Sequence, residues 1–109
     1  MGRHVVVRRG QVWTWVNAGV AHRVVIISND EFNAEPGLAV WALLIVPDVP
    51  QGGDLAVHLC DADAPPGYVS VPGLVQILDR GTLKESHGFL APGTMRAVED
   101  ALKDFLELT

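Results

Sequence analysis

His22 and Arg23 stand side by side at the head of an apolar segment, and their types suit work on a phosphate. An imidazole exchanges a proton near neutral pH and, when charged, sits favourably beside an anion. A guanidinium holds phosphate through two hydrogen bonds at once. Each residue also has a structural reading: His22 as a strand-end histidine bonded to backbone, Arg23 as half of an ion pair with Asp30 or Asp48. Asp48, between Pro47 and Val49, is either a carboxylate raised by burial to act as a base or a loop aspartate capping a turn.

Arg8 and Arg9 precede the first strand and either line the edge of a groove or keep that end of the chain in water. Trp13 and Trp15 share one face of that strand. Trp15 is the candidate to stack on a splayed base, against the alternative that both rings pack in a core or a dimer interface. Trp41 sits inside a long apolar run and reads as core. His58 and His87 have no partner at a telling spacing and read as structural. Cys60 is the only cysteine, which rules out an internal disulfide and a cysteine metal cluster, and it reads as a small buried hydrophobe. With no HExxH and no paired-carboxylate set, neither a metal nor another cofactor is expected.

The elements that must carry these residues are legible from periodicity. Gln11 to Val16 alternates as a strand, Asn17 to Gly19 is a turn, and His22 to Ile27 is a second strand paired with the first as a hairpin, ended by Asn29 and Asp30. Glu31 to Gly37 is a polar loop with room for one helical turn. Leu38 to Val46 is a nearly continuous apolar run, expected as a central strand buried on both faces. Pro47 to Gly53 is an exposed loop, and Asp54 to Cys60 a half-buried strand. Tyr68 to Val71 and Leu74 to Leu78 are two strands broken by Pro72 and Gly73. Leu83 to Glu85 is a short helical turn, and Gly88 to Leu90 a last short strand. From Met95, apolar residues recur at Val98, Ala101, Leu102, Phe105 and Leu106, one stripe of a helix that Pro92 opens. Its other face, with Arg96, Glu99, Asp100, Lys103 and Asp104, is expected to be solvated only. These elements amount to one α+β domain over residues 1–109, a small SH3-like barrel of five to seven strands closed by a C-terminal amphipathic helix.

At 109 residues, 49% hydrophobic and 19% charged, the chain can bury one modest core and is not disordered. No apolar run is long enough to span a bilayer. Met1 to Val7 lacks the apolar stretch and cleavage site of a secretory signal, so the cytoplasm is the expected location. A net charge of −5 argues against a protein that coats nucleic acid over a broad basic face. Four of the eight cations, Arg3, Arg8, Arg9 and Arg23, fall in the first quarter of the chain, which puts any anion site on the N-terminal strands.

Three stretches resemble the MazF/PemK toxin endoribonucleases of the MazF/CcdB superfamily: Arg9-Gly10-Gln11-Val12-Trp13, Ile26-Ile27-Ser28-Asn29-Asp30, and the tail from His87 through Gly88-Phe89-Leu90 to Met95, Val98, Ala101 and Leu102. They occur in the family's order over nearly the whole chain. The resemblance implies the toxin of a type II toxin–antitoxin system, a homodimer that cuts single-stranded RNA without a metal by attack of a 2′-hydroxyl on the adjacent phosphate, and that a cognate antitoxin silences.

The same resemblance exposes departures. Counting back from Asn29, the family's catalytic arginine falls on His22 and its following proline on Arg23, so the charge has moved by one residue. Strand alternation then turns Arg23 away from the family's catalytic direction unless a bulge resets the register. The family's Thr or Ser after the third strand falls on Val49, which has no hydroxyl, and the often long and basic loop between the first two strands is cut to Asn17-Ala18-Gly19-Val20-Ala21. The alternative function is therefore a catalytically degenerate binding module, or a gyrase poison like CcdB. Against the latter, CcdB-type proteins use a terminal aromatic, whereas this chain ends Leu106-Glu107-Leu108-Thr109.

Overall fold

The computed structural model describes residues 6–49, 55–60, 63 and 66–106. Arg3, the part of the expected loop at residues 50–53, Asp54 and the last three residues lie outside the described residues.

Strands β1 (Gln11–Asn17) and β2 (Val20–Ile26) form the expected hairpin, with Asn17 opposite Val20. The two residues between them, Ala18 and Gly19, both have positive φ, at 51° and 78°, the pairing of signs whose twist matches a tight hairpin. Asn29 and Asp30 do more than end β2. The Asn29 side chain accepts the Phe32 N–H at 2.9 Å and starts a single helical turn, α1 (Asp30–Asn33), so the expected turn begins one residue earlier. Then follow β3 (Val40–Val46), β4 (Ala56–His58), β5 (Tyr68–Ile77), a 3-10 turn (Arg80–Thr82), β6 (Leu83–Phe89) and α2 (Pro92–Leu106).

The six strands run antiparallel in the order β4-β5-β3-β2-β1-β6, which puts β3 and β2 at the centre. No ladder joins β4 to β6 among the described residues, so the sheet is coiled but open, not a closed barrel. The two strands expected around Pro72 and Gly73 are one. Leu44 faces Ser70 and Leu43 faces Leu74, which leaves Val71, Pro72 and Gly73 as a bulge. A bulge needs no ladder donor from proline, so Pro72 bends the strand without ending it. Leu83 to Glu85, expected as a helical turn, is the start of β6, because the 3-10 turn comes one step earlier, where Asp79 accepts the Gly81 N–H at 2.8 Å.

Alternation sorts the core onto the two sheet faces. Val12, Val25, Leu43, Ile45 and Val69 lie under α2 with its Val98. Trp13, Val24, Ile26, Ala42 and Ile77 form the cluster on the other face. Trp41 was expected in the core but is 36% exposed. It lies early in β3 opposite Gln76, itself exposed, where the neighbouring strands leave part of so large a ring uncovered. Cys60 is exposed as well, beyond the end of β4.

The helix that covers the first cluster is anchored by a residue outside every strand. Asp63 is 7% exposed and accepts from Ala91 N at 2.6 Å, the Thr94 hydroxyl at 2.7 Å and Cys60 N at 2.9 Å. Burial works to raise its pKa, but the bonds from Ala91, Thr94 and Cys60 together hold it below the ordinary value. A folded-state pKa below the unfolded one contributes stability that is present above the unfolded value and is lost as pH falls through the folded one. Asp63→Asn, which replaces an acceptor by an amide nitrogen, is expected to cost about 1–2 kcal/mol at neutral pH. In paired urea titrations the gap from wild type should shrink below about pH 4.

Candidate active site

β1, β2 and β3 place one row of side chains on the face that also carries α2. Thr14 is directly opposite Arg23, and Arg23 is directly opposite Ile45. Beyond the row, Ala21, Val46, Pro47 and Pro66 complete a cleft of about 390 Å³, with His22 at its edge. Most of its wall is apolar, which strengthens any charge interaction formed inside it.

The β1–β2 register runs from Val12–Val25 to Asn17–Val20 without a break. No bulge intervenes, so His22 and Arg23 point to opposite faces. Arg23 is turned away from the direction that the resemblance implies for the family's catalytic arginine, toward the cleft on the helix side instead. His22 pairs with Trp15, with ring centroids 5.4 Å apart and a tilt of 37°. Arg23 is half-buried, and among the described residues no carboxylate lies within ion-pair distance of it. Its expected partner Asp30 is engaged elsewhere, accepting from Arg9 N at 2.8 Å and from the Asn33 amide at 3.1 Å. Those two bonds, the Arg9 N–H first, hold the Asp30 carboxyl below its ordinary pKa. Asp48 is exposed next to Pro47 and is not part of the cleft wall.

Arg8 and Arg9 lie apart from the cleft. Arg9 donates to the Ile27 carbonyl and, at 2.8 Å, to Glu99, so it ties α2 to the end of β2. Glu99, expected to be merely solvated, is thus part of a clamp. Arg8 borders a second cavity of about 600 Å³ with Asn33, Pro36, Leu78 and Arg80. The Arg80 guanidinium there is committed to the carbonyls of Phe32, Asn33, Glu35 and Leu38.

Two features had no signal in the one-dimensional pattern. His87 Nε2 lies 2.6 Å from Thr14 Oγ1, and the tautomer decides which of them donates. His58 stacks on Tyr68, with centroids 4.8 Å apart and 22° between planes. Since cross-strand partners share a face, Trp15 and His22 form one half-exposed aromatic pair and Tyr68, opposite Val46, forms another with His58. His58 and His87 sit 29 residues apart on β4 and β6, and each meets its partner only through strand pairing. Among the described residues no three His, Cys, Asp or Glu side chains gather as a metal site, and no helix is long and apolar enough to cross a membrane.

The chain is similar across nearly its whole length to solved toxin structures. An endoribonuclease in complex with its cognate antitoxin, from a mycobacterial species, superposes with a TM-score of 0.84 at 25% identity, over 94% of this chain and 96% of that one. MazF in a MazE–MazF crystal structure from Deinococcus radiodurans gives 0.81 at 16% identity, over 94% and 97%. The Mycobacterium tuberculosis toxin MazF-mt6 gives 0.74 at 19% identity, over 91% and 98%. The last two show likeness of fold. No protein-family model matches the sequence, and no curated protein matches it.

Proposed function

We propose that this chain, a MazF-like toxin, is the endoribonuclease of a type II toxin–antitoxin pair, cutting single-stranded RNA by attack of a 2′-hydroxyl on the adjacent phosphate. The observation that carries the reading is the end-to-end superposition on a mycobacterial endoribonuclease at 25% identity. The cleft adds chemistry to it. Arg23, with no carboxylate partner among the described residues, faces an apolar pocket wide enough for a phosphate. A guanidinium there stabilises the charge that builds on the non-bridging oxygens as the 2′ oxygen attacks.

His22 belongs to the other face with Trp15, so its part is holding RNA, not moving a proton at the phosphate. The Trp15–His22 and Tyr68–His58 pairs offer flat surfaces on which bases can stack. Asp48, outside the cleft wall, is left out of the chemistry. Arg8 and Arg9 contribute through structure: Arg9 fastens α2, and Arg8 borders a separate cavity. The active form in this reading is a homodimer in the cytoplasm, silenced by a cognate antitoxin; relatives solved in complex with an antitoxin support the last of these.

The test is a long unstructured RNA incubated with the purified protein in excess EDTA. Cleavage leaving 2′,3′-cyclic phosphate and 5′-hydroxyl ends, and blocked by a 2′-deoxy sugar at the cut position, is the expected result. A folded protein that leaves the RNA intact would favour the binding-module reading.

A further inference from the structure

The geometry points to Thr14 and His87 as the pair that takes the 2′ proton, an assignment that rests on the ribonuclease reading above. The reaction needs a proton acceptor on the same side of the RNA as the cation that holds the phosphate. Ala21, Ile45, Val46, Pro47 and Pro66 offer no side-chain acceptor. Arg23 is permanently charged and cannot accept a proton. His22 borders the cleft, but strand alternation turns its side chain to the opposite face, where its ring packs against Trp15. That leaves the Thr14 hydroxyl, which lies directly across the ladder from Arg23. Side chains so paired start about 5 Å apart, a span one phosphodiester bridges.

An alcohol alone is a poor base, but Thr14 is not alone. Its Oγ1 is 2.6 Å from His87 Nε2. The local fold of β6 brings this about. Gln11 pairs with Phe89 but Trp13 with Ser86, so an extra residue is accommodated between them, beside Gly88 at φ 88°. Thr14 pairs with Glu85, and His87, two residues further along β6, shares that face and lies diagonally across from Thr14, at the start of the bulge.

With His87 neutral and its proton on Nδ1, Thr14 donates to Nε2 and keeps its lone pairs toward the cleft. As the 2′ oxygen attacks, its proton passes to Thr14 Oγ1 while the hydroxyl proton of Thr14 passes to His87 Nε2. The O2′–P bond forms and the P–O5′ bond breaks. The leaving 5′ oxygen takes a proton from water, and the imidazolium returns its proton to the hydroxide so formed. Arg23 holds the non-bridging oxygens throughout.

Steady-state cleavage of a defined RNA in EDTA by wild type, Thr14→Val, His87→Gln and the double variant tests the relay, with melting temperatures recorded for each. Wild type should cleave, each single variant should lose kcat by about 10²-fold at unchanged KM, and the double variant should be no slower than the worse single one. Thr14→Ser, which keeps the hydroxyl, should recover most of the lost rate, and added imidazole should restore His87→Ala, a rescue that a merely structural contact would not produce. Wild-type kcat in His87→Gln, or a loss confined to KM, overturns the relay and leaves the ribonuclease standing. A wild-type protein that does not cut RNA overturns both.

Discussion

Arg23→Met is expected to lower kcat/KM on single-stranded RNA by on the order of 10²–10³-fold, with little change in melting temperature. Methionine keeps much of the half-buried stem and removes only the guanidinium. Among the described residues Arg23 has no carboxylate partner, so the variant strands no buried countercharge, and a large stability loss has no source. Arg23→Lys should fall between wild type and Arg23→Met, because an ammonium restores the charge but not the two parallel hydrogen bonds. His22→Ala gives the contrast: on the far face against Trp15, it should raise KM and spare kcat. If His22→Ala abolishes turnover and Arg23→Met does not, the cleft on the helix side is not where the phosphate is cut.

The fold was readable where one physical signal dominated. Alternation marked β1, with β2 as its hairpin partner, a nearly continuous apolar run marked β3, and the stripe from Met95 to Leu106 marked α2 after Pro92. It misled where a strong local signal met tertiary context. Pro72-Gly73 is a breaker in one dimension, but beside β3 it is a bulge, because the ladder skips those positions. Trp41 looked like core because apolar neighbours surround it in sequence, whereas its own burial depends on what crosses it in space. Asp63 carries no mark at all in sequence, since its role as the cap of α2 depends on bringing a residue from before β5 against Ala91 and Thr94.

For the site, alternation was enough to predict that His22 and Arg23 would face opposite ways, and the unbroken register agrees. Sequence could not choose which face carries the cleft, since that depends on Pro47 and Pro66 converging from two loops. Nor could it separate Arg9 from Arg23 as anion ligands. Both are arginines in the same quarter of the chain, and only the fold commits Arg9 to Ile27 and Glu99. Thr14 and His87 are 73 residues apart, and only the pairing of β1 with β6 joins them.

Gly67→Ala is expected to be the most destabilising single-methyl change near the cleft. Gly67 has φ of +149°, a conformation that side chains rarely adopt, and a Cβ there would lie 2.6 Å from the Val46 carbonyl oxygen. Backbone is the obstacle, and it cannot swing aside as a side chain would. Val46 is held by its pairing with Tyr68, and Gly67 itself accepts the Leu59 N–H at 2.9 Å. Strained backbone plus a forced shift amounts to roughly 3 kcal/mol, or a fall in Tm of more than about 10 °C for a chain of this size. Gly19→Ala is the control, because its φ of +78° is also left-handed but nothing lies within 4 Å of the added carbon. That change should cost only about 1 kcal/mol. Equal losses in the two variants would mean that conformation alone demands glycine at residue 67. A larger loss at Gly67, together with slower RNA cleavage at temperatures where the variant stays folded, would show that the close approach to Val46 also sets the position of Pro66 and Pro47 across the cleft from Arg23.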